Sequence, residues 1–205
     1  MKITTYTLGD FATNCYLVVD EGTKKACLID PGIYDVGIQN EIIAKGITLE
    51  YILLTHGHFD HILGANALKE KTGAMIVAYK DEVEYFEDQI KNLPPVYDCG
   101  TIVIDRHVVE NDVLIFGSIS FRVIHTPGHT IGSCCFVCED EKVMFTGDTL
   151  FKGSIGRYDF PGGDYGTILQ SLQKLKDFEQ NYEIYPGHGD FTTLDDERAH
   201  NPYIK

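Results

Sequence analysis

The segment Tyr51–His61, with the sequence YILLTHGHFDH, constrains this chain more than any other. Its first four residues are apolar or aromatic without alternation, which predicts a short strand buried on both faces. Three histidines and one aspartate follow within six residues: His56, His58, Asp60 and His61. Imidazole and carboxylate groups at this density are ligands for divalent zinc, iron or manganese. The segment therefore predicts a metal site at the end of a buried strand.

The same arrangement, an apolar strand followed by a ligand-type side chain, recurs three times in the second half of the chain. The later ligand candidates are His129, Asp148 and His188. Ligands commonly bind beyond the carboxyl ends of strands in open sheets. If these strand ends meet at one edge of the fold, we expect seven metal-ligand candidates to converge.

Seven ligands are too many for one tetrahedral ion but suit two ions that share a carboxylate. We assign the candidates to a first ion, a second ion and a bridge as follows: His56, His58 and His129; Asp60, His61 and His188; and Asp148. Two ions ~3.5–4 Å apart would hold a bridging water as hydroxide near neutral pH. That hydroxide would attack an electrophilic carbonyl while the ions stabilise the oxyanion. Asp60 and Asp148 are thus the predicted catalytic carboxylates.

The remaining three histidines are predicted to have structural or surface roles. His125 directly follows a strand and precedes Thr-Pro, which favours a structural role or support of a ligand. His107 and His200 have no ligand-type neighbours, so we expect surface or packing positions.

Apolar periodicity and turn residues predict a fold built from strands and helices in both halves of the chain. The predicted strands are Ile3–Leu8, Cys15–Val19, Ala26–Ile29, Tyr51–Leu54, Met75–Ala78, Val113–Phe116, Ser120–Ile124, Ser133–Cys138, Lys142–Phe145 and Glu183–Tyr185. The predicted helices are Val36–Ala44, Ile62–Lys71, Asp81–Lys91, Tyr165–Phe178 and Asp195–Asn201. Residues 92–100 are predicted to be irregular, as a flap or a connector. Two sheets packed face to face with helices outside, in one domain spanning 1–205, fit this order.

Composition disfavours two classes of partner. The formal net charge of -14 disfavours nucleic acid and anionic membranes, because both require a basic face. No apolar run approaches the length of a membrane span, and the N-terminus lacks the pattern of a signal peptide. We therefore expect a cytoplasmic protein, as a monomer or small homo-oligomer.

Six cysteines are expected to be reduced in that compartment. Cys135 and Cys138 form a C-x-x-C pair, which can indicate zinc or redox chemistry. In an extended strand, however, alternation places Cys134 and Cys138 on one face and Cys135 on the other. Buried structural thiols are the favoured interpretation.

The motifs THGHFDH, HTPGHT, TGDTLF and PGHG, spanning Thr55 to Gly189, resemble those of the metallo-β-lactamase superfamily, and most closely those of glyoxalase II-like metallohydrolases. The resemblance implies an α/β fold, the four-layer αββα sandwich, and a ligand scheme that matches the seven residues above. It also implies two divalent ions, with zinc favoured and iron or manganese as alternatives. The implied reaction is hydrolysis of a small-molecule thioester such as a hydroxyacylglutathione.

Longer glyoxalase II enzymes carry a C-terminal helical region that helps to hold glutathione, and the sequence is expected to be the short form without it. They also place a basic residue and, two positions later, a tyrosine against the substrate. Here those positions hold Arg157 and Asp159, and Arg157 and Lys152 are the two cations of this loop. Both are predicted to bind substrate, with Arg157 favoured.

Two alternative activities remain open at this point, and two further interpretations are disfavoured. A mononuclear iron persulfide dioxygenase of the same superfamily carries a similar R-x-D-F run, here Arg157–Phe160. A lactonase would use the same attack on a carbonyl. RNA processing is disfavoured by the net charge, and a purely structural metal site would be closed and usually rich in cysteine.

Overall fold

Two six-stranded sheets form the centre of the fold, in a computed structural model that describes residues 1–82, 86 and 99–204. The first sheet contains β1 (Lys2–Leu8), β2 (Thr13–Val19), β3 (Lys25–Ile29), β4 (Thr48–Leu53), β5 (Met75–Tyr79) and β6 (Arg106–Val108). The later strands are β7 (Val113–Phe116), β8 (Ile119–His125), β9 (Cys134–Cys138), β10 (Val143–Gly147), β11 (Leu150–Phe151), β12 (Ser154–Ile155), β13 (Glu183–Pro186) and β14 (Thr192–Thr193). The predicted helix 81–91 and the irregular segment 92–100 lie almost entirely outside the described residues.

The strand order explains how both sheets present strand ends to one edge. The first sheet has the order β1-β2-β3-β4-β5-β6, and the second has the order β14-β13-β10-β9-β8-β7. Strands β3 to β6 run parallel, and β10 and β13 are also parallel. Their carboxyl ends therefore point the same way within each sheet, which is where the ligand candidates follow.

Helices cover the outer faces of the two sheets, which confirms the predicted four-layer αββα sandwich. The α-helices whose bounds lie within the described residues are α1 (Val36–Ala44), α2 (Phe59–Ile62), α3 (Ala65–Thr72), α4 (Tyr165–Lys176) and α5 (Leu194–His200). Asp35 and Asp164 cap the N-termini of α1 and α4 by accepting hydrogen bonds from the N–H groups of Ile38 and Thr167. None of the helices in the described ranges is long and apolar enough to cross a bilayer.

Three apolar clusters fill the spaces between the four layers. The central cluster lies between the sheets and includes Phe121, Phe136 and Phe145. One outer cluster packs the first sheet against α1 and α3, and the other packs the second sheet against α4 and α5. A strand that is buried on both faces contributes alternate side chains to two different clusters, so its sequence is apolar at every position.

Strand β9 shows this division of side chains most clearly. Cys134 and Cys138 face the central cluster, whereas Cys135 faces the helix side, so the period-two prediction is confirmed. All three thiols are buried and free of disulfides. Burial raises the pKa of the Cys135 thiol to about 12. Burial also raises the pKa of the Cys134 and Cys138 thiols. All three cysteines are packing residues, because their thiols are buried in the apolar clusters.

The structure corrects the helix predicted over Ile62–Lys71. Two helices occupy this region, α2 and α3, and the chain breaks between them at Gly64. The N–H of Gly64 donates to the carbonyl of Pro31 at 2.8 Å, and a Cβ at Gly64 would lie 2.6 Å from the carbonyl carbon of Ile33. This close approach to the β3–α1 loop interrupts the helix. Strands β6, β11, β12 and β14 were not predicted, because two or three residues are too few to show a periodicity.

Candidate metal centre

The seven ligand candidates meet at one edge of the sandwich. Residues 56–61 follow β4 in the first sheet, whereas His129, Asp148 and His188 follow β8, β10 and β13 in the second. A bridge between Thr13 and His188 and two hydrogen bonds from the Asn14 amide, to the carbonyls of Pro186 (3.1 Å) and Gly189 (2.8 Å), join the loops of the two sheets. The joined loops of the two sheets therefore enclose the ligand candidates from both sides.

Three histidine nitrogens form the first group. The distances are 3.0 Å from His56 Nε2 to His58 Nδ1, 3.2 Å from His56 Nε2 to His129 Nε2, and 2.8 Å from His58 Nδ1 to His129 Nε2. Around a tetrahedral zinc ion with bonds of about 2.0–2.1 Å, ligand nitrogens lie about 3.3 Å apart. The three rings are buried and converge on one point, with nitrogen–nitrogen distances slightly shorter than those around such an ion.

Asp60, His61 and His188 form the second group. The Nε2 atoms of His61 and His188 are 3.2 Å apart, and Asp60 Oδ2 lies 3.5 Å from the first and 3.3 Å from the second. The hydroxyl of Thr13 donates to the same Asp60 oxygen at 2.9 Å and fixes the carboxylate. This group offers two imidazole nitrogens and one carboxylate oxygen to a common point.

Asp148 lies between the two groups. Its Oδ2 is 3.5 Å from His129 Nε2 of the first group and 3.6 Å from His188 Nε2 of the second, and its Oδ1 is 3.5 Å from His61 Nε2. Asp148 Oδ1 is the only buried side-chain polar atom in the described residues without a hydrogen-bond partner. A buried carboxylate oxygen without a donor is costly unless a cation is near. A Cβ at Gly187 would lie 2.1 Å from this oxygen, so glycine is required there.

Hydrogen bonds on the outer side of the rings determine which nitrogen faces the centre. His129 Nδ1 lies 2.6 Å from the carbonyl oxygen of Arg157, and His188 Nδ1 lies 3.1 Å from that of Phe11. A carbonyl oxygen can only accept, so both Nδ1 atoms carry the proton and both Nε2 atoms present lone pairs inward. This is the arrangement that orients histidine ligands in metal proteins.

Asp30 supports two further rings, those of His61 and His56, and was missed by the sequence interpretation. Its Oδ2 accepts from His61 Nδ1 at 3.0 Å and from the hydroxyl of Thr55 at 2.6 Å, while Oδ1 accepts from the Thr55 N–H at 2.8 Å. Because the Thr55 hydroxyl donates to Asp30, it accepts from His56 Nδ1, which is 3.0 Å away. The position of Asp30 directly after a buried strand, like that of the ligand candidates, was the available clue.

Glu82 was also missed, and it fixes the loops of the first group. This fully buried carboxylate accepts from the N–H of Gly57, between His56 and His58, at 2.7 Å, and from the N–H of Gly132 at 2.6 Å. Burial raises the pKa of Glu82, although the two amide donors oppose that shift. One side chain thus connects the loop after β4 to the loop that carries His129.

The two groups differ in electrostatics. Burial and the neighbouring histidines hold the pKa of His56 well below its ordinary value, and burial lowers the pKa of His58 to about 3. Burial also disfavours the charged form of His61, but Asp148, Asp30 and Asp60 outweigh it and raise its pKa to about 9. Without a metal ion, the three rings of the first group therefore favour their neutral form, whereas the carboxylates around His61 favour a cation at the second group, either a proton on the ring or a metal ion.

A cavity of about 540 Å³ opens onto the centre. Arg157 lines its rim, with its guanidinium paired to Asp159 and lying over the ring of Phe160. Lys152 is not among the described residues that line it; its ammonium lies 3.3 Å from Asp190 in an exposed pair. Of the two predicted substrate-binding residues, the structure brings only Arg157 to the cavity.

The three remaining histidines lie apart from the centre. His125 stacks on Tyr79 with ring centroids 4.0 Å apart, and its Nε2 is 3.0 Å from the carbonyl of Ile131. His107 and His200 are exposed. These positions agree with the structural and surface roles predicted for them.

The donor set fits a metal centre. Among the described residues, two of the possible metal-binding groups are the two predicted triads, and the third combines Asp30 with His56 and His61. The oxygens of Asp30 already accept three hydrogen bonds, which favours a supporting role for it. The two triads and the unpartnered Asp148 oxygen between them therefore supply the ligand atoms and the negative charge that divalent cations need.

Comparisons with known proteins agree with this geometry. The model of the metallo-beta-lactamase superfamily matches residues 8–188. Hydroxyacylglutathione hydrolase GloC of Haemophilus influenzae is 34% identical over 209 residues, covering 100% of this chain and 98% of that protein. The crystal structure of BLEG-1 B3 metallo-beta-lactamase has a TM-score of 0.88 and 31% identity, with 100% of both chains covered. That of TTHA1623 in a di-iron-bound form has a TM-score of 0.84 and 31% identity, covering 98% of this chain and 99% of that one. The chain therefore belongs to the metallo-beta-lactamase superfamily, as a glyoxalase II-like member.

Proposed function

We propose that this protein is a binuclear metal-dependent hydrolase that cleaves a small-molecule thioester. The observation that carries the proposal is the position of Asp148 between two complete triads of ligand atoms, with one of its oxygens lacking any hydrogen-bond partner in the described structure. A mononuclear site would use the ligand atoms of one triad and leave those of the other triad without an ion.

The residues that would hold the ions follow from the geometry. His56, His58 and His129 would bind one ion; Asp60, His61 and His188 would bind the other; and Asp148 would bridge. When bound, a pair of divalent ions lowers the pKa of water toward neutrality and stabilises negative charge on a carbonyl oxygen. Zinc, iron and manganese all accept these ligand types.

The chain's own residues hold the ligand atoms ready. Asp30, Thr55 and the carbonyls of Phe11 and Arg157 keep four imidazoles in the tautomer that presents Nε2 inward. Thr13 fixes Asp60 from outside the centre. Preorganised ligands avoid the cost of ordering them when an ion or a substrate binds.

The thioester class is supported by the glyoxalase II-like motifs and by the similarity to hydroxyacylglutathione hydrolase GloC. An acyl–sulfur bond needs no strong general acid at the leaving group, because a thiolate leaves readily near neutral pH. The carboxylates and imidazoles that line the cavity in the described structure are all assigned to the ions, which leaves none of them to protonate an amine leaving group. We also propose that the partner is a small molecule and not nucleic acid, since the chain is strongly acidic.

Metal analysis followed by a substrate panel tests the proposal. Protein purified without added metal should contain up to two divalent ions per chain, and should release thiol from thioesters, including lactoylglutathione, only when loaded. One iron per chain with oxygen uptake on glutathione persulfide would contradict the proposal and favour the dioxygenase. Cleavage of lactones without cleavage of any thioester would favour the lactonase.

A further inference from the structure

Two cavities lie beside the metal centre, and they differ in the side chains that line them. The first, of about 540 Å³, contains five of the ligand candidates together with Arg157 and Phe160. The second, of about 520 Å³, is lined in the described structure by the β1–β2 turn, the loop after β3 and residues 59–67 around α2 and α3. Both fall within the range of about 300–1,000 Å³ that is typical of small-molecule sites.

The two cavities meet at a pair of aromatic rings. Phe11 and Phe59 line both cavities, and their ring centroids are 4.9 Å apart in an edge-to-face arrangement. Asp60, a member of the second metal triad, is the third residue that the two cavities share. A molecule whose reacting carbonyl lies at the centre can therefore extend past these two rings into the second cavity.

The wall of the second cavity is largely apolar. Asn66 is an exception, but its side-chain amide already donates to the carbonyls of Cys99 and Thr101 at 2.8 and 3.0 Å. Neither lysine nor arginine lines this cavity among the described residues. Such a wall binds a ligand by removing apolar surface from water. The apolar side chains that supply it include Leu8, Phe11, Ile33, Phe59, Leu63 and Ala67.

The two cavities suit different ends of one thioester. Arg157 lies at the rim of the first cavity, and a guanidinium group can bind the carboxylates of a thiol such as glutathione. The acyl chain and the sulfur are attached to opposite sides of the reacting carbonyl. When the thiol portion lies toward Arg157, the acyl chain therefore points toward the second cavity.

We propose that the second cavity binds the acyl group of the substrate, so that the protein prefers thioesters whose acyl group carries an extended apolar chain. This inference rests on the proposed thioester hydrolysis and specifies the acyl class within it. Thioesters of glutathione belong to this class when the acyl chain is long. Phe11 and Phe59 form the passage from the centre, and the chain packs against Leu63 and Ala67 beyond them.

A series of 2-hydroxyacyl thioesters of glutathione tests the preference, because it varies the acyl chain and keeps the thiol constant. With the metal-loaded protein, kcat/KM should rise from the lactoyl to the 2-hydroxyhexanoyl and the 2-hydroxyoctanoyl thioester. The rise should be about two- to fourfold for each added methylene, since complete burial of one methylene contributes about 0.8 kcal/mol. A flat or falling series would overturn the inference and leave the proposed thioester hydrolysis intact.

Ala67→Phe tests where the acyl chain binds. Phenylalanine at this half-buried position in α3 would fill part of the second cavity. The ratio of kcat/KM for the 2-hydroxyoctanoyl thioester to that for the lactoyl thioester should then fall about tenfold, as expected when two methylenes are no longer buried. Ile33→Asn, at an exposed position of the wall, should lower the same ratio by replacing apolar surface with an amide.

Ala199→Phe is the matched control for Ala67→Phe. Ala199 is exposed in α5 and is not among the described residues that line either cavity, so the ratio should keep its wild-type value. Circular dichroism of the metal-free forms checks that each variant folds. Wild-type ratios in both Ala67→Phe and Ile33→Asn would overturn the proposed acyl site.

Binding of the product acids separates this inference from the proposed function. Calorimetry with the metal-loaded protein should show tighter binding of 2-hydroxyoctanoate than of lactate, and Ala67→Phe but not Ala199→Phe should remove the difference. If no thioester is cleaved, the proposed function fails, and this titration still decides whether the second cavity binds an apolar chain. Equal affinities for the two acids, or the same difference in all three proteins, would overturn the inference.

Discussion

Replacing Asp30 by Asn tests how the ligand histidines are held. The carboxylate accepts from His61 Nδ1, from the Thr55 hydroxyl and from the Thr55 N–H, and it is buried. An amide has one acceptor oxygen, so in either orientation its NH₂ group faces a former donor. When the NH₂ faces His61, the ring must shift its proton to Nε2, the atom that points at the centre.

The magnitude follows from the bond that is lost. A hydrogen bond to a charged group contributes about 1.5–3 kcal/mol, which corresponds to roughly one to two powers of ten in affinity. Changes in residues that orient metal-binding histidines typically cost about 10–100-fold. We therefore expect the ion at Asp60, His61 and His188 to bind about 10–100-fold more weakly, with a smaller effect at the first group.

Titration of the metal-free protein against a chromophoric chelator, supported by metal content after dialysis, measures both affinities. Asp20→Asn is the matched control, because Asp20 is a buried aspartate that accepts from Gly22, Thr23 and Ser118 in turns away from the centre. Circular dichroism and thermal unfolding of the metal-free forms check that both variants fold. Unchanged affinities in Asp30→Asn, or equal losses in both variants, would refute the account of how His61 is oriented.

Three further predictions follow from the same contacts. His61→Ala should lose mainly the second ion and His56→Ala mainly the first, measured by metal content; equal loss of both ions in either variant would count against two separate triads. Glu82→Gln places an NH₂ group against the N–H of Gly57 or Gly132, so it should lower the free energy of unfolding by about 1–3 kcal/mol and weaken binding of the first ion more than of the second. Chemical denaturation and the chelator titration measure these two effects. Wild-type values in both assays would contradict the role of Glu82 in holding the two loops together. Zinc at about 100 times its dissociation constant should stabilise the fold by about 2.7 kcal/mol and raise Tm by about 5–10 °C; an unchanged Tm would mean that the native state binds no zinc.

The long, strongly patterned elements could be predicted from the sequence because their burial leaves a direct trace in residue type. The strand at Tyr51 is apolar on both faces because one face meets the central cluster and the other meets α3. Helix α4 was likewise indicated by its apolar spacing and confirmed, with Ile168, Leu172 and Leu175 buried. Short strands such as β14 depend on a partner strand and not on their own composition, so a local pattern could not indicate them.

The members of the candidate centre could be found from the sequence because ligand chemistry requires particular side chains. Their supports could not be found in the same way. Phe11 and Arg157 act through backbone carbonyls, which any residue possesses. Asp159 could be noted as a departure from longer enzymes, but its pairing with Arg157 depends on the conformation of the loop.

Anomalous X-ray scattering from crystals of the metal-loaded protein tests the central claim most directly, because it locates each ion independently of activity. Two peaks ~3.5–4 Å apart, one beside His56, His58 and His129 and the other beside Asp60, His61 and His188, with Asp148 contacting both, are the result that the account predicts. A single peak at full occupancy beside the first three histidines, with Asp60 and His61 remaining unligated in excess metal, would contradict it.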